Sequence, residues 1–191
     1  FSNATKKLPP DAHSIFTVDR LKPDIAKATA DVGKFAPQAV ILACPATTAR
    51  AMIEALNKQG TVTQIAALSN NAGLAFAKSL GALGRGVVIS QVMPSPVRST
   101  SLLGRELASS AKSAGVTPSY AVMEGYAAAR VLVEGLKRAG KSPTRASFVS
   151  GLESAGIIDL GGLEVRYGPN VRKGSDYVEL TVIGPNGTFV K

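Results

Sequence analysis

The run PQAVILACPATTARAMIEALNKQGTVTQIAALS, from Pro37 to Ser69, constrains this chain more than any other stretch. An apolar strand, Ala39 to Ala43, ends in Cys44-Pro45, and a helix follows at once and stops at Gly60. A second apolar strand, Ile65 to Leu68, ends in Ser69-Asn70-Asn71. Strand, helix, strand within about thirty residues is the crossover unit of a parallel sheet. Small and polar residues at the ends of such strands stand where open α/β sheets place ligands. The pattern predicts a binding cleft before it predicts a catalyst.

The same alternation extends on both sides. Phe1 to Leu8 is partly helical in pattern and is closed by Pro9-Pro10; His13 to Val18 (HSIFTV) has the β-branched and aromatic content of a strand. From Lys22, Ile25, Ala28, Val32 and Phe35 recur at helical spacing and stop before Pro37. The strand Gln38 to Ala43, a helix on Ala49, Met52, Ile53 and Leu56, and the strand Gln64 to Leu68 come next. A helix on Phe76, Leu80 and Leu83 then leads to the strand Gly86 to Val92. Near-continuous apolar strands suit a sheet covered on both faces.

At Met93 the alternation breaks. MPSPVRSTS, Met93 to Ser101, carries two prolines and no period, so it reads as a connector. Helices are expected on Leu102 to Ser113, Ser119 to Ala139 and Thr144 to Ser154, with Val122, Tyr126, Ala129, Val133 and Leu136 marking one face of the longest. Leu163 to Tyr167 and Tyr177 to Ile183 alternate around a Gly/Asn/Lys-rich turn, as a β-hairpin would. A change of domain near Met93 accounts for this order.

Composition excludes several functions. At 191 residues the chain can bury one good core, or one domain plus part of another. Aromatic content of 5% with no Trp argues against the stacking platforms of single-strand nucleic-acid binders. The net charge of +9 invites a polyanion reading, but Lys and Arg are spread singly. Their densest cluster, Lys137-Arg138 with Lys141, sits at a helix end, where cations complement the dipole. One cysteine and one histidine, Cys44 and His13, make a zinc site or an activated thiol a poor reading, and no cofactor is expected. GALGRG, Gly81 to Gly86, follows a helix and precedes a strand, the reverse of a dinucleotide fingerprint. No apolar run approaches the length of a membrane span. No signal peptide is visible, and a chain opening on Phe1 reads as a mature product or a fragment.

Position alone singles out Pro45, Ala46 and Thr47 at one strand tip and Ser69 and Asn70 at the next. The hydroxyls of Thr47 and Thr48, with free N–H groups at a helix start, suit a carboxylate or an amide. Thr47 as a helix cap and Asn70-Asn71 as a turn are the structural alternatives. Pro94, Ser95 and Pro96 are expected to form a hinge, the fixed φ of the two prolines limiting how the chain bends.

SQVMPSP after a strand, then SYAVMEGYAAARVLVEGLKRAG, then GLEVRYGPN before a last strand, resemble the C-terminal portion of a periplasmic solute-binding protein of ABC importers. The leucine/isoleucine/valine-binding (branched-chain amino acid) family is the one most similar. PQAVILACPATTARAMIEAL resembles that family's second-lobe segment and GRGVVISQVMPSP its hinge crossing. The resemblance implies an α/β fold: a doubly wound parallel sheet of the type I lobe, plus helices belonging to the partner lobe. Residues 1–94 would be the second lobe without its first strand, 95–156 the hinge connector and first-lobe helices, and 157–191 a C-terminal hairpin returning to the second lobe.

That first strand would lie centrally, so its absence leaves backbone groups unpaired. The chain is therefore expected to be a fragment that folds with the missing N-terminal portion of the same protein. The implied function is the periplasmic solute-binding component of an importer. It would trap a small amino-acid-like or carboxylate solute and dock on a membrane permease, with no catalysis. Members that hold α-amino acids have an aromatic residue near Pro45 and an acidic one near Ser69; this chain has neither. A plain α-amino acid is then not the ligand, or the missing lobe meets its ammonium. A ligand-sensing domain of a receptor or regulator, and a small Rossmann-like enzyme, are the rival readings.

Overall fold

A computed structural model describes residues 6–9, 11–97 and 100–190. The helix expected on Phe1 to Leu8 falls largely outside them. The chain divides into two compact units, Phe1–Ser90 with Leu180–Lys191, and Gln91–Glu179.

The first unit is mixed α/β. Asp24 opens helix α1, Ile25–Phe35, by accepting the Lys27 N–H at 2.9 Å. Strand β1, Ala39–Leu42, follows, then helix α2, Ala46–Lys58, strand β2, Gln64–Ala67, helix α3, Leu74–Ser79, and strand β3, Val88–Gln91. The apolar stripe of α2 buries Ala49, Met52, Ile53 and Leu56. Each large side chain so buried is worth about 1.5–3 kcal/mol. On α1, the buried Thr29 hydroxyl donates to Ile25 O at 2.9 Å and accepts from Gln59 Nε2 at 3.0 Å, tying the end of α2 to α1.

Strands β1, β2 and β3 run parallel, with Leu42 opposite Ala67 and Ala67 opposite Ile89. Their carboxyl ends therefore share one edge of the sheet. Strand β6, Glu179–Ile183, completes the far side of β3: Gly86 N–H donates to Ile183 O and Ile183 N–H to Val87 O, both at 2.9 Å. The Thr181 hydroxyl donates to Ile89 O at 3.2 Å. Residue numbers rise on β3 as they fall on β6, so this pair is antiparallel. Strand β7, Phe189–Val190, pairs antiparallel with β6, and the sheet order is β1-β2-β3-β6-β7.

Two expectations are corrected here. His13 to Val18 is irregular and belongs to no ladder among the described residues. A strand needs a neighbour to bond to, and this segment instead lies along α1, with Phe16 edge-on to Phe35 at 6.1 Å. Consequently β1 pairs only with β2 among the described residues, and Ile41 is 57% exposed although its sequence has the apolar run of a covered strand.

The C-terminal hairpin differs too. Strand β5, Glu164–Arg166, pairs antiparallel with β4, Ile157–Asp159, while β6 joins the main sheet with β7. The tight turn at Asp159–Gly162 explains the choice. It closes β4 onto β5 locally, while the longer connection to Tyr177 folds back on itself through the Gly168–Val171 bridge and Arg166 N–H to Gly174 O at 2.7 Å. Residues Ile157 to Glu179 accordingly belong to the second compact unit, and the chain returns to the first only at Leu180.

The Asp159 carboxylate holds that turn by accepting from Gly161 N–H and Gly162 N–H, both at 2.8 Å. Those two donors pull its pKa below the ordinary carboxylate range. A depressed acid stabilises above its unfolded pKa, and the contribution disappears as pH falls through the folded value. An NMR titration of Asp159 is expected to show its midpoint below that of a free aspartate, with the Gly161 and Gly162 amides following the same curve.

The second unit contains helices α4, Leu102–Ala114, α5, Tyr120–Ala139, and α6, Arg145–Glu153. Ser101, Ser119 and Thr144 cap them, and Thr144 forms a full capping box with Ser147. The core gathers Leu103 and Leu107 of α4, Met123 and Ala127 of α5, and Leu152 of α6 around Ile158, Leu160, Leu163 and Val165.

On α5 the face expected to be buried is only partly so: Val133 and Leu136 are 45% and 43% exposed, while Tyr120, Met123, Ala127 and Gly135 are buried. Glu124, Arg130, Glu134, Lys137 and Arg138 share the side that also holds Met123 and Ala127, so the apolar spacing alone points to the wrong side. Gly135 marks the buried one, because the bare backbone there admits the Phe148 ring of α6. A Cβ built on Gly135 would lie 2.3 Å from that ring.

Candidate functional site

The tips of β1 and β2 carry the residues that the sequence singles out, and the parallel register brings them to one edge. After Leu42 the chain passes Ala43 and Cys44 to Pro45, the N-cap of α2, which contributes no side-chain cap hydrogen bond. The amides of Ala46, Thr47 and Thr48 begin the helix ahead of the first intrahelical bond, Ala49 N–H to Pro45 O at 2.9 Å. Pro45 and Thr47 are exposed and Ala46 is half-buried. Thr47 lies inside the first turn rather than at the cap, so its hydroxyl is not spent on capping. Thr48 is different: at 5% exposure it is turned into the core and is withdrawn from the candidate surface.

At the neighbouring tip, Ser69–Asn71 form one 3₁₀ turn, closed by Asn71 N–H to Leu68 O and Ala72 N–H to Ser69 O, both at 2.9 Å. The turn that composition offered as an alternative is thus present. It also carries a cross-link. Asn70 Nδ2 and Asn71 Nδ2 donate to the same carbonyl, Cys44 O, at 3.0 and 3.1 Å. A strand-end carbonyl has room for two donors, and here both come from the neighbouring tip.

Sequence reasoning noticed Asn71 only as part of a turn. The signal for its role was the Asn-Asn pair itself, since one turn residue can satisfy the turn while its neighbour reaches across. Asn70 is exposed, Ser69 is half-buried and Asn71 is 1% exposed.

Electrostatically the two tips are neutral in side-chain charge. Pro45, Ala46, Thr47, Ser69 and Asn70 include no acid or base, and the positive end of α2 lies beside them. Burial pushes the Cys44 thiol above its ordinary pKa, which keeps it protonated and a poor nucleophile. The arrangement offers hydrogen-bond donors and acceptors without a group poised to make or break bonds. In the second unit, Pro94 and Ser95 are half-buried and Pro96 is buried just beyond the crossing after Ser90.

A parallel sheet whose tips present neutral hydrogen-bonding groups is the architecture of a solute-binding lobe. The chain belongs to the periplasmic binding protein family, whose model matches residues 17–183. Solved structures agree. A possible leucine/isoleucine/valine-binding protein from Rhodopirellula baltica superposes with a TM-score of 0.79 at 26% identity, over 88% of this chain and 47% of its own. An extracellular ligand-binding receptor from Verminephrobacter eiseniae gives 0.80 at 26% identity, over 100% and 55%. A substrate-binding periplasmic protein from Ralstonia solanacearum gives 0.71 at 31% identity, over 86% and 50%. The chain thus spans about half the length of these relatives. No curated protein matches it.

Proposed function

We propose that this chain is the C-terminal part of the periplasmic solute-binding component of an ABC importer. The whole protein traps a small amino-acid-like or carboxylate solute between two lobes and delivers it to a membrane permease. The sheet unit is the second lobe, the helical unit belongs to the first, and Pro94-Ser95-Pro96 lie in the hinge. The N-terminal portion supplies the rest. Pro45, Ala46, Thr47, Ser69 and Asn70 contact the solute, and no covalent chemistry is involved. Closure follows because the solute touches both lobes only in the closed state, which shifts the population toward it.

The observation that carries this reading is the pair of strand tips, uncharged and rich in donors, at the start of a helix without a side-chain cap. Spanning about half the length of its structural relatives supports the two-part assembly.

The test is to purify the full-length protein, identify the solute that accompanies it by mass spectrometry, and measure its binding calorimetrically. Thr47→Ala is expected to weaken that binding about tenfold, the loss of one hydrogen bond to a charged group. An unchanged affinity removes Thr47 from the site. Turnover of the solute would replace the reading with an enzymatic one.

A further inference from the structure

We infer that the outward face of α5 is an interface, and that the N-terminal portion of the same protein covers it; this rests on the two-part assembly proposed above and names where the parts meet. On a helix, residues three, four and seven apart stand on one side. Met123 and Ala127 are buried in the core of the second unit, and Arg130, Glu134 and Lys137 continue their side toward the end of the helix. The opposite side carries Ala121, Gly125, Ala128, Ala129, Leu132 and Leu136, all of them exposed, Leu132 by half. No charged residue stands among these six.

A helix with one side in water puts its charges there. On α5 the order is reversed: the charges follow the side of the core, and an uncharged strip roughly 23 Å long follows the side of the solvent. The helix cannot roll to correct this, because Gly135 seats the Phe148 ring and Arg130 pairs with Glu106 of α4. An apolar strip of this length on a folded protein marks a surface that another surface covers.

The strip also describes its occupant. Ala121, Gly125, Ala128 and Ala129 leave its first part nearly flat, so that another backbone comes close, and Leu132 and Leu136 project beyond them. The solved relatives have room for such an occupant, since this chain covers only 47%, 55% and 50% of their lengths. A permease leaves after each delivery and would bare the strip again. A portion of the same polypeptide stays, and it covers the strip without a second molecule.

The experiment measures thiol accessibility in the native full-length protein. Leu132→Cys and Ala128→Cys place a thiol on the strip, and Lys137→Cys places one on the charged side as the open control. Each is labelled with a maleimide, and the labelling of the parent protein is subtracted so that Cys44 cancels. Thiols at 132 and 128 are expected to react at least about a hundredfold more slowly than the one at 137, because reaction then waits for local opening. A thermal melt shows which variants fold, and Ala128→Cys, which adds a single sulfur atom, decides if Leu132→Cys does not.

Equal rates at all three positions overturn the covered face. Protection that is lost on dilution, together with a dimer mass in sedimentation, overturns the choice of occupant in favour of a second copy. Protection that is independent of concentration supports the N-terminal portion. The solute that accompanies the same preparation is scored separately, so a protein without one overturns the functional reading and leaves this interface standing.

Discussion

Ile89→Ala is expected to lower the unfolding free energy by about 2–5 kcal/mol. Ile89 is fully buried on β3, with β2 on one side and β6 on the other. Its cross-strand neighbour is Ala67, too small to swing into the space that three lost carbons leave. The main chain cannot close the gap either, since Ile89 O is held by the Thr181 hydroxyl and Ile183 is bonded to Val87. The cavity therefore persists, and its cost adds to the lost transfer energy. Urea denaturation of both proteins, read by circular dichroism, gives the difference. A loss below about 1 kcal/mol would mean that the sheet relaxes around position 89 and is looser than this packing implies.

Gly161→Ala should be nearly as damaging, by about 2–4 kcal/mol, for a different reason. Gly161 has φ +96°, a region that side chains with a Cβ rarely adopt. A Cβ there would lie 2.9 Å from Leu103 N and from Leu102 Cβ. Leu103 N–H donates to Gly161 O at 2.9 Å, so the obstructing atom is pinned by the residue being changed. Relief requires breaking the bond that joins the β4–β5 turn to α4. Chemical denaturation measures the loss. Loss of the Gly161 and Gly162 amide resonances from their positions in the parent spectrum would locate it at the turn. A variant as stable as the parent would show that the turn tolerates a conformation glycine alone normally takes.

Much of the fold was legible because its elements announce themselves locally. β1, β2 and β3 are apolar runs between clear stops, and α2, α4, α5 and α6 begin at Pro45, Ser101, Ser119 and Thr144. What local pattern cannot hold is pairing. HSIFTV has the composition of a strand, but composition supplies no neighbour, and His13 to Val18 stays outside every ladder among the described residues. Glu164 to Arg166 alternates equally well with either possible partner, and in the structure it pairs with β4 across the short turn carrying Asp159.

Helix faces fail in a related way. With Arg130, Glu134 and Lys137 on the buried side of α5, apolar spacing points to the other, and the Phe148 ring enters at Gly135. At the candidate site, the sequence placed Pro45, Ala46, Thr47, Ser69 and Asn70 correctly at strand tips, because tips follow from element ends. It read Asn71 only as part of a turn, without its bond to Cys44 O, and offered the Thr48 hydroxyl to a ligand although Thr48 is buried. Which of two adjacent polar residues turns inward depends on the turn's geometry, and neither hydropathy nor spacing records that.

The border of β1 that has no partner strand among the described residues has a bearing on how this sheet comes apart. Every second peptide group along Ala39–Leu42 points away from β2, toward no other strand among the described residues. With half its bonding capacity unused, that ribbon is easier to peel off than the inner strands β2 and β3, and water can reach the sheet from there. Because its far tip bears Cys44, fraying along this margin also slackens the carbonyl that both asparagines grip. Whatever steadies the outer border of the sheet thus steadies the start of α2 as well.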